Sequence, residues 1–186
     1  MAAEIQSRIN ALAASRARDL LQLHSKYFAL TKPLAAARAL CLQQLPGFWP
    51  QALSAHYIRD LCTEKDCELL QRLEDVTVDE FPSRDGSKTI KVAFDLGSNE
   101  AIANASLWLT VTDTLPRDTT NSGIVFKAGF SLADFDEAEK ESLFRLFASE
   151  GRTQTADKAF DLAYCIQTDL WVDPCKYYEM ASSELS

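Results

Sequence analysis

MAAEIQSRINALAASRARDLLQLHSKYFALTKP, residues 1–33, is the stretch on which the fold turns. From Ile5 onward, Ile9, Leu12, Ala13, Ala17, Leu20, Leu23, Tyr27 and Leu30 recur at steps of mostly three and four, with no Gly or Pro before Pro33. That spacing brings apolar side chains back to one face of a 3.6-residue turn, so the stretch reads as one long amphipathic helix. At 1.5 Å per residue, a helix of about 28 residues reaches about 40 Å, more than a small domain needs to cover its own core. Its apolar stripe is expected to meet a second chain. An ordinary helix packed within one chain is the alternative, because Arg16 and Asp19 interrupt a strict heptad.

Pro33 is expected to end this helix and to sit in the first turn of another, Leu34 to Leu45, giving a helical hairpin. After Pro46-Gly47, the residues Phe48, Trp49, Ala52, Leu53, His56 and Leu61 keep helical spacing. Thr63 with Asp66 three residues on reads as an N-cap, opening a short helix through Leu73. The pattern then turns to period two and short apolar runs, predicting strands at Val76 to Phe81, Thr89 to Asp95, Ala105 to Thr112 and Gly123 to Lys127. The breakers Ser83-Arg84-Asp85-Gly86, Gly97-Ser98-Asn99 and Asn121-Ser122-Gly123 separate them. Connections this short favour an antiparallel meander, covered on one face, because parallel pairing needs long crossovers. Helix is expected again over Asp136 to Ala148 and Thr155 to Leu170, with Gly151-Arg152-Thr153-Gln154 as a linker. Helices before and after a sheet make the class α+β.

Charge is split along the chain. The formal net charge is −8, yet residues 1–47 carry six Lys and Arg against only Glu4 and Asp19. The acidic remainder should attract basic macromolecules and repel nucleic acid, so no direct specific nucleic-acid binding is expected. The longest apolar runs fall far short of the roughly 20 residues of a membrane helix. The amino terminus lacks the features of a secretory signal, and five cysteines show no disulfide framework, which points to a reducing compartment.

A search for chemistry finds no Gly-rich phosphate loop, no His-Glu-x-x-His and no Gly-x-Ser-x-Gly, so no catalytic residue, metal site or cofactor is assigned and the chain is not read as an enzyme. Cys62 and Cys67 near His56 lack a second ligand pair for a metal and fit ordinary partly buried thiols. The acids at Asp134, Asp136, Glu137, Glu139 and Glu141 have a plain reading in capping and solubility. That reading leaves unexplained why the first 47 residues carry six bases against two acids while the remainder is strongly acidic, and the segregation suggests a binding face.

The closing run Asp169-Leu170-Trp171-Val172-Asp173-Pro174-Cys175-Lys176-Tyr177-Tyr178 sets a large aromatic before a helix-breaking proline and two tyrosines. In order along the chain come Lys26-Tyr27, Pro33, Leu45-Pro46-Gly47-Phe48-Trp49, a strand ending Glu80-Phe81, Glu141-Ser142-Leu143-Phe144 and this ending. That succession resembles the nucleosome assembly protein family, nearest its SET and Vps75-like branch.

The resemblance implies a homodimer whose long helices pair, residues 1–32 forming the dimerisation helix. Residues 33–186 would form an α/β "earmuff" domain with a four-stranded antiparallel sheet covered by helices. It implies a histone chaperone with core histones as partners, found in nucleus and cytoplasm, or alternatively an adaptor for a chromatin-modifying enzyme such as a histone acetyltransferase or a phosphatase. Ile5, Ile9, Leu12, Leu20, Leu23 and Tyr27 fall in the dimer seam. Asp134, Asp136, Glu137, Glu139, Asp157, Asp161, Asp169 and Asp173 are the expected histone-binding acids, while Trp171, Pro174, Tyr177 and Tyr178 hold the surface in shape. The chain departs from the family in lacking a long acidic tail, since only Glu179 and Glu184 follow Tyr178, and in a short Gly129 to Asp136 connection.

Overall fold

A computed structural model describes residues 1–82, 87–148 and 153–184. Helix α1 runs unbroken over Ala2–Leu42 with Pro33 inside it, which corrects the expected stop at Pro33 and the hairpin built on it. Proline removes one amide donor, leaving the carbonyl of Ala29, an exposed residue, free to bond water. The turns on both sides of Pro33 are tied to the same body. Phe28 stacks on Trp171 with ring centroids 5.6 Å apart, Lys32 pairs with Asp79, and Arg38 donates to the carbonyls of Trp171 and Val172. These contacts offset the cost of an interior proline, about 3 kcal/mol, and a hairpin would forfeit one set of them. At 1.5 Å per residue α1 is about 60 Å long.

The helix expected from Phe48 to Leu61 is divided into α2 (Phe48–Ser54) and a 3-10 turn (Tyr57–Leu61). His56 makes the break: its backbone is extended, and its Nδ1 accepts the amide of Ile58 at 3.2 Å, capping the new turn. Thr63 is the predicted N-cap of α3 (Glu64–Leu70), in a reciprocal capping box with Asp66.

The sheet is the predicted antiparallel meander of β1 (Leu73–Pro82), β2 (Lys88–Leu96), β3 (Ser106–Thr112) and β4 (Thr119–Asn121), in that order. The breaker at Ser83 to Gly86 lies outside the described residues. In the next turn Asn99 Oδ1 accepts the amides of Ala101 and Ile102. The fourth strand is not Gly123 to Lys127; β4 precedes the Asn121-Ser122-Gly123 breaker, and the later stretch joins only through a bridge between Ile102 and Phe126. Thr119, Thr120 and Asn121 carry no apolar alternation, so their pairing with β3 left no mark in the pattern.

Val78, Ile90, Val92, Phe94, Leu109 and Val111 point into the core from one face of the sheet. Phe144, Phe147, Leu162 and Ile166 bury against them from the helical layer. Lys91, Ala93, Trp108 and Thr110 on the opposite face stay partly exposed, so the sheet is covered on one face. Residues 136–142 are not helical, correcting the expected Asp136 to Ala148 helix: 3-10 turns stand at Leu132–Asp134 and Leu143–Phe147 instead. A helix there would set Glu137 four residues from Glu141, a like-charge pair that repels. The expected late helix is α4 (Thr153–Cys165), continued by a π-turn (Ile166–Leu170). Of the linker, Gly151 and Arg152 lie outside the described residues, and α4 has begun at Thr153. The chain then forms α5 (Pro174–Glu184).

Candidate functional site

The acids singled out from the sequence all lie on the helical layer or its loops, and none lies on a strand. What holds the first group in place is Asp66, fully buried at the start of α3. Its Oδ2 accepts the amides of Thr63 at 3.0 Å and Leu143 at 2.7 Å, and its Oδ1 accepts the Ser142 hydroxyl at 2.6 Å. Burial pushes the Asp66 carboxyl up, and these donors pull it back. The result fixes the loop of residues 131–142 to α3.

On that loop Asp136 takes a fork from Arg145, with Nε at 2.8 Å, and the Ser142 amide at 3.0 Å. The Arg145 contact holds its carboxyl below the usual range. Asp136 is therefore a half-buried brace whose charge is already answered. Asp134 accepts the amide and hydroxyl of Ser131, both at 2.7 Å, which lower its carboxyl in the same way. Glu137 accepts the Glu64 amide at 2.6 Å at the positive end of α3. Asp134, Glu137 and Glu139 are exposed.

Asp157 and Asp161 sit on the exposed side of α4. Asp157 pairs with Arg117 at 2.7 Å, whose guanidinium lies 3.5 Å over the Phe160 ring. Lys158 reaches Glu141 at 3.0 Å, so α4 and the acidic loop are joined. Asp169 and Asp173 stand apart at the far end of α4, on and just after the π-turn. Asp169 Oδ2 accepts the Tyr177 hydroxyl at 2.6 Å and lies 3.5 Å from His56 Nε2, and Asp173 accepts the Lys176 amide at 3.2 Å. The eight positions thus form two neighbouring groups and one separate pair. Sequence reasoning passed over Asp60 and Glu64, exposed acids on the same layer, and the anchoring role of Asp66. The cap at Thr63 and Asp66 was visible, but its reach to Ser142 and Leu143 depends on chain proximity that no local pattern encodes.

The six predicted seam residues are all exposed on α1, from 51% at Leu23 to 72% at Leu12. Because the helix passes Pro33, Leu30 and Leu34 extend the same stripe at 57% and 72%.

The thiols near His56 are poorly suited to chemistry. Burial pushes Cys62 up to about 12 and Cys165 up to about 11, so neither is a thiolate near neutral pH. His56 Nδ1 is taken by a backbone amide, leaving Nε2 alone to face both Asp169 and Cys165, the latter at 3.9 Å. A relay through the imidazole from carboxylate to thiol needs both nitrogens free. Among the described residues no group of three or more His, Cys, Asp or Glu is placed to hold a metal ion, and no helix is long and apolar enough to cross a membrane.

No protein-family model matches the chain. NAP1-related protein 2 of Oryza sativa subsp. indica is 27% identical over 194 residues, covering 98% of this chain and 76% of that relative. The crystal structure of nucleosome assembly protein S from Plasmodium falciparum matches with a TM-score of 0.66 at 23% identity, covering 94% of this chain and 96% of that one. The crystal structure of Ccp1 matches with a TM-score of 0.74 at 21% identity, covering 98% and 97%. With sequence similarity along nearly its whole length, and a long helix leading into a meander sheet covered on one face, this chain is similar to the NAP1-related proteins and shares the fold of the nucleosome assembly protein structures.

Proposed function

We propose that this protein is a histone chaperone that binds basic core histones on the acidic surface of its helical layer and assists nucleosome assembly or histone transfer without ATP. The observation that carries the reading is the placement of the acids. A chain whose residues after position 47 carry 25 acids against 13 bases turns Asp134, Glu137, Glu139, Asp157 and Asp161 outward from the loop and from α4. Such a field competes with DNA phosphates for basic histone surfaces, and release follows when DNA offers the better-matched set of contacts. Equilibrium exchange alone supplies the work. Asp169 and Asp173 extend the surface past the π-turn, and Asp136 contributes by fixing its shape.

In the same reading residues 1–32 serve for dimerisation and residues 33–186 as the binding domain, with α1 crossing that boundary. The protein works in nucleus and cytoplasm, where histones are handed to chromatin.

Titration against each core-histone pair across a salt series, with DNA as competitor in parallel, tests this. Tight binding that weakens as salt rises, together with suppression of histone–DNA aggregation, is the expected result. Neutralising Glu139, Asp157, Asp161 and Asp173 together to Asn or Gln should weaken binding about tenfold or more at low salt, with the melting temperature unchanged. No binding near physiological salt would reject the function, and unchanged affinity of the quadruple variant would reject this surface.

A further inference from the structure

Asp157, Asp161, Cys165, Asp169 and Asp173 follow one another at steps of four. Along α4 a step of four overshoots a full turn by about 40°. The wider π-turn takes part of that drift back, so the five positions share one ridge. Four of them are acids, and the bases beside the ridge are engaged: Arg117 pairs with Asp157, Lys158 with Glu141, and Lys176 lies 4.7 Å over the Tyr177 ring. The exception is Cys165, buried in the middle of the row. What covers it is Tyr57 of the 3-10 turn, whose hydroxyl lies beside the Cys165 thiol.

Tyr57 therefore fills the gap between Asp161 and Asp169, the gap that separates the acids of α4 from the pair beyond the π-turn. One face of its ring rests on His56, with centroids 4.4 Å apart, and the residue is 54% exposed, so the other face is open to solvent. His56 is itself fixed, since its Nδ1 caps the Ile58 amide and Tyr177 packs edge-on against it at 4.6 Å. A surface ring held in this way has little rotamer freedom left to lose on binding. Beside it, the Asp169 side chain is 43% exposed, and among the described residues only its Oδ2 accepts a hydrogen bond from a hydroxyl or amide, that of Tyr177.

An open aromatic face with a carboxylate one turn to either side has a specific complement. A guanidinium is planar and weakly hydrated, so it stacks on the ring while its N–H edge reaches a carboxylate. An ammonium is compact and strongly hydrated, and it gains less from the ring. Charge alone would treat the two alike.

We propose that Tyr57 is the arginine-selecting anchor of the acidic surface: a guanidinium of the bound basic protein stacks on its open face and pairs with Asp169 or Asp161. The inference rests on the chaperone reading and adds to it a chemical preference that the acids by themselves do not supply. It also makes the α4 acids and the pair past the π-turn one continuous surface, joined at the ring.

Two capped peptides of equal charge, hexa-arginine and hexa-lysine, test the anchor by titration into the full chain. The unmodified protein should bind hexa-arginine the more tightly. Tyr57→Leu, which keeps an apolar side chain but no ring, should weaken hexa-arginine about threefold to fivefold and leave hexa-lysine unchanged. Tyr57→Phe, which keeps the ring, should match the unmodified protein. With core-histone pairs, the loss in Tyr57→Leu should persist as salt rises, because stacking is screened less than the field of the acids. Equal affinities of Tyr57→Leu and the unmodified protein for hexa-arginine, or an equal loss for both peptides, overturn the anchor while histone binding stands. A protein that binds neither peptide nor any core-histone pair overturns the chaperone reading, and the anchor with it.

Discussion

Tyr177 on α5 donates its hydroxyl to Asp169 Oδ2 at 2.6 Å, tying the last helix to the π-turn at the end of α4. Burial and this neighbouring carboxylate push the tyrosine up to about 12, so it remains a donor throughout the neutral range. Tyr177→Phe should cost about 1–2 kcal/mol, as expected for a hydrogen bond to a charged acceptor. Thermal unfolding with and without the hydroxyl measures it. A melting temperature identical to that of the unmodified protein would show that Asp169 finds an equal partner in water.

His56 predicts an acid-side loss of stability. The imidazole is buried among Tyr57, Cys165, Asp169, Lys176 and Tyr177, and burial holds its pKa below 6.5, with Asp169 opposing in part. A histidine that binds its proton less tightly when folded favours the unfolded chain once protonation begins, so stability is full above pH 6.5 and falls as pH drops below it. His56→Asn keeps an acceptor for the Ile58 amide but does not titrate. Its melting temperature should start lower, through lost ring contacts, and change less between pH 7 and 5. Parallel curves for the two proteins over that interval would show that His56 is not the titrating group.

Asp66 should be the costliest surface-organising residue to remove. Asp66→Ala leaves the Thr63 and Leu143 amides and the Ser142 hydroxyl without their acceptor in a buried position, at about 1–3 kcal/mol for each unsatisfied donor. Denaturant unfolding should show a loss of several kcal/mol. Hydrogen exchange should rise first over residues 131–147, since that loop is what the carboxylate holds. Uniform exchange across the chain would instead make Asp66 a purely global element.

The five cysteines should divide by depth. Cys41 and Cys175 are exposed, Cys67 is half-buried, and Cys62 and Cys165 are buried with raised pKa values. At neutral pH a thiol reagent should modify Cys41 and Cys175 first and reach Cys62 and Cys165 only on the timescale of unfolding. Rapid labelling of Cys165 beside His56 would reopen the case for thiol chemistry.

The meander was legible because Val76 to Phe81, Thr89 to Asp95 and Ala105 to Thr112 alternate with one buried face, and period two survives any tertiary arrangement. The acidic loop was misread as helix for a related reason. Phe144 and Phe147 keep helical spacing, but the Asp66 carboxylate that anchors the Ser142 hydroxyl and interrupts the helix lies 76 residues away. The acids themselves were found by composition. Which of them remain free was not, because the Arg145 fork on Asp136 and the Arg117 pair on Asp157 are made by the fold.

What the sequence alone determined is whatever repeats locally: the amphipathic stripe of α1, the cap at Thr63, the first three strands and the charge split. Pro33 marks the limit. Its local effect is to break a helix, and only the tertiary structure, by holding Phe28 on Trp171 before it and Arg38 on the π-turn carbonyls after it, decided that the helix continues. A backbone preference worth a few kcal/mol yields where packing on both sides of it contributes more. Such packing joins residues more than a hundred positions apart, and no window along the chain contains both partners.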